Sequence, residues 1–245
     1  MFLLRAVKRL FGHNWHDVAN KMRYGAAGPV AFERIWIDPR EVTVALPHPT
    51  ELGLSPSHPD YETIAAAMAR ARGLVGKVVS EEVAEMRFFP LDAVIKVAAC
   101  RRHWLEGLSW EAAGAIDNLL TKIETLGVPV SGCASRQDVL GRYAALDAIF
   151  REVRAAGTLE SKLRRGKLFA RERDGVQIHL GRDGRLILGA TGSHRLAMTQ
   201  VLGIERIPAS LGFVHRSALP LLPALRRAPA LARQAPERKP HHAQA

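Results

Sequence analysis

Cysteine is scarce in this chain: 245 residues contain two, Cys100 and Cys133. They stand 33 positions apart, with no CxxC spacing and no histidine pair to supply the other half, so a zinc site is excluded. Cys100 lies in an apolar helical stretch and reads as a buried thiol. Cys133, in the loop Val130-Ser131-Gly132-Cys133-Ala134, is the weaker candidate for a catalytic one. No run of about 18 apolar residues occurs, which excludes a transmembrane helix. A signal-peptide core is missing too: in MFLLRAVKRLFGH (residues 1–13), Arg5, Lys8 and Arg9 break the apolar stretch and no small-residue cleavage site follows. The expectation is a cytoplasmic protein.

The body of the chain also lacks excess charge. The formal net charge is +11, but residues 1–23 carry +4 of it (Arg5, Lys8, Arg9, Lys21 and Arg23 against Asp17) and residues 216–245 carry +5. Basic ends of this kind can touch DNA or an anionic membrane, or simply keep a protein soluble. What the chain has in quantity is core material, 47% hydrophobic against 24% charged residues, as in a globular protein.

Period locates the elements. Residues 1–23 read as a short basic amphipathic helix, with Leu3, Leu4, Val7, Leu10 and Phe11 on one stripe. Phe32–Pro39 alternates like a strand, and the proline-rich stretch 46–60 reads as a loop. From Tyr61 to Gly157 the pattern is helical: Tyr61–Arg72, Leu91–Glu106, a helix capped by Ser109 and ending at Gly127, and one started by the capping box Ser135-Arg136-Gln137-Asp138 and ended by Gly157. After Gly157 the period changes. Val176–Leu180 and Leu186–Leu188 are strands around an Asp183-Gly184 turn, a strong hairpin signal. Gly189–Gly192 is a tight loop, Ser193–Leu202 a helix and Ile207–Val214 a last strand. The fold class is α+β, a mainly helical N-terminal part followed by a small mixed α/β domain. Its parts are residues 1–60 (basic helix, strand and loop), 61–156 (helical), 157–216 (the α/β domain) and 217–245 (a flexible basic tail).

The chemistry points to Thr191-Gly192-Ser193-His194-Arg195. A helix start exposes unpaired N–H groups and the positive end of the helix dipole. Gly192 permits close approach of a ligand, Ser193 can cap the helix or donate its hydroxyl, His194 can donate, and Arg195 adds a planar cationic fork. Together they suit a phosphate. A second basic group, residues 151–173, includes Arg171 and Arg173, which enter the first strand of the α/β domain and are candidate phosphate ligands. His179 reads as structural, and His215 as a weaker candidate for the same cleft.

The stretch Gly175–Ile187, then Gly192-Ser193-His194-Arg195-Leu196-Ala197, Leu202-Gly203 and Ile207-Pro208-Ala209, resembles the ParB/sulfiredoxin superfamily. Members share a strand–turn–strand–helix core ending in Gly-x-His-Arg or Gly-x-Arg-Arg, then Leu-Gly and Ile-Pro-Val. The resemblance extends to a subgroup in which a strand ending Asp-Pro, a segment like CRRHWLEGLSW (100–110) and an arginine-bearing helix like 137–150 precede that core. It implies a ParB/sulfiredoxin-like fold over 157–216 and nucleotide phosphates (ATP, ADP or CTP, with Mg²⁺ where catalysis follows) at the start of the helix. It places an acid at Glu160. The family's activities do not transfer whole. Ser193 stands where sulfiredoxins have the attacking cysteine, so sulfinic-acid reduction is not expected. Thr191 stands where serine kinases of the superfamily have an aspartate, and 217–245 is too short for the helix-turn-helix of chromosome-partition members. Three readings follow. The first is a kinase-like phosphotransferase or NTPase acting on a small or sugar-linked hydroxyl, with Glu160, and Asp183 behind it, as candidate catalytic acids. The second is a nucleotide-responsive module on DNA or membrane. The third is a degenerate domain that binds nothing. The sequence is silent on oligomeric state.

Overall fold

Every second residue of the chain's central strands faces the same way, and both faces are buried. Val176, Ile178 and Leu180, with Leu186 and Leu188, join one core cluster, whereas Ile187 and Phe213 join another. Strands buried on both faces belong in the middle of a covered sheet. The computed structural model describes residues 15–161, 171–172 and 175–228 and shows that arrangement in an α+β fold. The seven strands are β1 (Arg34–Ile37), β2 (Val44–Ala45), β3 (Val78–Val79), β4 (Phe89–Pro90), β5 (Val176–Leu180), β6 (Leu186–Leu188) and β7 (Ile207–His215). They form one mixed sheet in the order β1-β7-β5-β6-β2-β4, with β3 paired to β7. β7 runs parallel to β5 and β3 and antiparallel to β1, and all nine of its residues are buried.

The helices are α1 (15–24), α2 (Tyr61–Gly73), α3 (Ile95–Glu106), α4 (Ala115–Leu126), α5 (Arg136–Ala156), α6 (Ser193–Val201) and α7 (Leu222–Leu225). α3 to α6 contribute to the larger core cluster, and Ala71 of α2 joins the smaller one with Ile187 and Phe213. α5 begins as its sequence predicts: Ser135 Oγ accepts from the Asp138 N–H at 3.2 Å and Asp138 reaches back to the Ser135 N–H at 2.9 Å. It stops at Gly157 in the left-handed conformation (φ 63°). Asp147 ties α5 to its neighbours. Its carboxylate accepts from Trp104 Nε1, Trp110 Nε1 and His103 Nε2, each at 3.0 Å, beneath a stack of Trp104 on Phe150 at 4.5 Å. Among the described residues no helix is long and apolar enough to cross a membrane.

Three expectations need correction. The sheet ignores the anticipated boundaries at 60/61 and 156/157, since β1 to β4 pair directly or through neighbours with β5 to β7. α4 starts at Ala115 rather than beside Ser109, because Gly114 in the left-handed conformation (φ 81°) interrupts the chain and Ser109 Oγ caps only the turn to Ala112. The flexible tail does not begin at 217. Ala218 and Leu222 are fully buried, and Arg226 clasps Glu33 with two nitrogens at 2.8 and 2.9 Å. The basic helix of 1–23 is described only from residue 15; residues 1–14 and 229–245 lie outside the described chain.

Candidate functional site

The start of α6 is positioned by β5. Gln177 Oε1 accepts from the Ala190 N–H at 3.0 Å, the Gln177 N–H donates to Thr191 O at 3.1 Å, and Thr191 Oγ1 donates to Gly175 O at 3.1 Å. These bonds lock the loop 189–192 onto the first residues of the strand. Gly192 sits at φ 92°, and a Cβ there would stand 2.4 Å from Val176 Cα. The sequence calls for a glycine that admits a ligand. The structure supplies a second reason, a backbone in the left-handed region pressed against β5. Gly192, not Ser193, occupies the cap position, and no side chain caps the helix. The first bond within α6 is Leu196 N–H to Gly192 O at 2.9 Å, so the N–H groups of Ser193, His194 and Arg195 have no partner within the helix.

This start forms one wall of a cleft of about 900 Å³. The opposite wall is α5, with Gln137, Arg142, Leu146 and Ile149, together with the loop Ser131–Cys133; Lys96 of α3 also reaches it. His194 lines the cleft, and its Nε2 is buried with no hydrogen-bond partner. Burial, with the charges of Lys96, Arg142 and Lys122 adding to it, pushes the His194 ring down to about 3, so the ring is neutral. Lys122, 6% exposed on α4, is pulled down to about 8 by burial, with Glu51 opposing and Lys96 adding to the shift. Lys96 pairs with Glu51 at 2.5 Å, and Arg142 Nη1 donates to Ser131 O at 3.1 Å, which fixes the guanidinium in the wall. Arg195 Nη2 donates to Glu160 O at 2.6 Å; burial lowers the pKa of its guanidinium while the nearby Glu172 opposes. Among the described lining residues Asp138 is the one carboxylate. It is committed to the α5 cap, and the Ala134, Ser135 side-chain and Ser135 backbone hydrogen bonds hold its pKa low. The cleft therefore concentrates positive charge and N–H donors in a partly buried space, an environment for an anion.

Of the residues singled out by sequence, Gly192, Ser193, His194 and Arg195 come together on this wall. The others do not. Glu160 is held beside the helix start through its backbone carbonyl, but its side chain is exposed and off the lining. Asp183 lies at the far end of the β5–β6 hairpin. It and Gly184 take left-handed conformations (φ 58° and 82°) that close the turn, so its part is conformational. Arg171 is spent on structure, donating to Ala31 O at 2.9 Å and to Asp17 at 2.7 Å. Arg173 lies outside the described residues. His179 is structural as read: its Nδ1 accepts from the Phe213 N–H at 3.0 Å and its ring stacks on Phe213 at 4.1 Å. His215 Nδ1 accepts from the Ser217 N–H at 3.2 Å, off the cleft. Cys133 lines the cleft but is 3% exposed, and burial pushes the Cys100 thiol pKa upward. Sequence reasoning missed Lys96, Lys122 and Arg142. Each stands on a different helix, and only the tertiary packing of α3, α4 and α5 gathers them near the start of α6. Among the described residues no cluster of three or more His, Cys, Asp or Glu is arranged to hold a metal ion. No family model, curated protein or solved structure matches the chain.

Proposed function

We propose that the cleft at the start of α6 binds the phosphates of a nucleotide. The observation that carries the reading is the cationic lining, Lys96, Arg142 and Arg195 with buried Lys122 behind, gathered at a helix start that no side chain caps. These like charges oppose one another; a di- or triphosphate would relieve that opposition and take the three N–H groups that have no partner within the helix. The likeness of Gly192-Ser193-His194-Arg195 to the ParB/sulfiredoxin core supports the same ligand class, and the apolar Leu146, Ile149 and Met198 offer a surface for the rest of the nucleotide. A cytoplasmic setting, where nucleotides are abundant, suits this reading. Phosphoryl transfer to a hydroxyl acceptor is the activity we infer from it, since such transfer needs chiefly positioning and charge neutralisation. Glu160, whose backbone carbonyl accepts from Arg195 and whose exposed side chain stands off the lining, is its candidate base.

The test is a thermal titration with ATP, ADP, CTP and GTP, with and without Mg²⁺, of the wild type and of His194→Ala/Arg195→Ala. Binding to the native state alone stabilises it by about 2.7 kcal/mol at roughly 100-fold over Kd. We expect one nucleotide to raise the midpoint of the wild type and not of the double variant. No shift with any nucleotide would reject the site. Released phosphate or product scored in the same samples, with Glu160→Gln beside them, separates binding from turnover; an unchanged rate in Glu160→Gln removes that residue from the chemistry.

A further inference from the structure

α1 is docked the reverse way from an ordinary surface helix. Its inward face is polar apart from Tyr24, which packs against the core. Asp17, 8% exposed, accepts from the Ala31 N–H at 2.9 Å and pairs with Arg171 at 2.7 Å. One turn on, Asn20 Nδ2 donates to Pro29 O at 2.9 Å and to Gly76 O at 2.7 Å. The contact is close: a Cβ on Gly28 would stand 2.4 Å from Asn20 O. Its outward face is apolar. Trp15, Val18 and Met22 are 73%, 50% and 84% exposed, and Met22 and Trp15 are the two most exposed large hydrophobic residues of the described chain. Spacings of three and four put these side chains on one stripe, and Asp17 and Asn20 on the opposite one. The bonds of the inward face hold the helix with this stripe outside, so the stripe stays in water unless something else covers it.

Charge identifies the cover. Lys21 and Arg23 stand about 100° to either side of the stripe. The helix has a single acid, Asp17, and it is turned inward and neutralised by Arg171. The outward half is therefore apolar along its centre and cationic along both edges. The sequence before it continues the theme, with Phe11 and Leu4 at 4 and 11 residues before Trp15, and Arg5, Lys8 and Arg9 with no acid among residues 1–14. A second copy of the chain fits poorly, because facing stripes would bring Lys21 and Arg23 of both copies together along one narrow seam. Nucleic acid would answer the cations and leave Val18 and Met22 in water. A surface with anionic headgroups above acyl chains answers both. The geometry points to α1 as a helix that lies in the plane of an anionic lipid surface. Trp15, Val18 and Met22 sit at the acyl boundary, and Lys21 and Arg23 reach up to headgroup phosphates.

The full chain should be tested by cosedimentation with phosphatidylglycerol-containing vesicles and with pure phosphatidylcholine vesicles, without nucleotide, so that failure leaves the reading of the cleft untouched. We expect partition onto the anionic vesicles at least about tenfold above the neutral ones, falling as salt rises. Trp15→Glu/Val18→Glu/Met22→Glu should lose binding by more than about tenfold with its thermal midpoint unchanged, because all three side chains are exposed. Lys21→Glu/Arg23→Glu should weaken it by more than about tenfold through charge alone and stands in should the triple variant fail to fold. No partition of the wild type, equal partition onto neutral vesicles, or full binding by either folded variant would overturn the proposal. So would light scattering in which the wild type is a dimer that the triple variant dissolves, with no vesicle binding by either.

Discussion

His179 shows how a single ring fixes a response to acid. It is 1% exposed between β5 and β7, stacked on Phe213, with Nδ1 committed to the Phe213 N–H. Nδ1 is an acceptor there, so the ring is neutral, and burial pushes it down to about 3. In the unfolded chain an ordinary histidine takes its proton near pH 6.5. Below that pH the unfolded state binds a proton that the folded state refuses, and stability falls as pH falls, until the folded ring also titrates. The slope from one such group is about 1.4 kcal/mol per pH unit, so His179 alone removes about 2 kcal/mol between pH 7 and pH 5. His194, whose ring is depressed in the same direction, steepens the loss. Urea unfolding at the two pH values measures it. In His179→Asn, where an amide oxygen can stand in for Nδ1, the dependence should flatten; identical slopes in the two proteins would place the acid sensitivity elsewhere.

Among the elements, α5 matters most to the cleft, because it forms most of the facing wall and its Asp147 carboxylate ties it to its neighbours. Removing that carboxylate in Asp147→Ala strands three donors, Trp104 Nε1, Trp110 Nε1 and His103 Nε2. A buried donor left without an acceptor costs roughly 1–3 kcal/mol, so we expect about 3–5 kcal/mol of destabilisation in urea, with a changed near-ultraviolet signal from the two tryptophans. A loss below about 1 kcal/mol would mean that apolar packing alone seats the helix. Nothing in the sequence singles out Asp147, which reads as one more polar position on an amphipathic helix. The elements that were legible are those long enough to show a period or marked by a stop signal: α2, α5 with its capping box, β5 and β6 with their Asp-Gly turn, α6 and β7. β2, β3 and β4 have two residues each, and two residues have no period. β2 and β3 are strands only because β6 and β7 offer them partners, and β4 because β2 does. The candidate site was legible to the same degree. Its helix start is local and was read; its cationic wall is assembled from three helices and was not.

For the whole molecule, the chain ends are structural members as well as carriers of charge. α1 is pinned through Asp17 and Arg171, and the segment after β7 packs on β1. There Ala218 and Leu222 are fully buried, Leu219 is 8% exposed, and Arg226 reaches Glu33 and the carbonyls of Ala26 and Gly28. A composition rich in proline, alanine and arginine hides this, because the apolar residues are few and their burial depends on a sheet formed by distant parts of the chain. Deleting a buried leucine side chain costs about 2–5 kcal/mol. A chain ending at Arg216 loses two such residues and leaves Glu33 without its guanidinium. We therefore expect it to be destabilised by more than about 4 kcal/mol relative to a chain ending at Ala228, which keeps every one of these contacts. For a domain whose total stability is of the order of 5–15 kcal/mol, that loss is about a quarter of the total or more. Urea midpoints of the two truncations decide it. Equal midpoints would mean that β1 and β7 are stable without the cover, and would return this segment to the role of a basic tail.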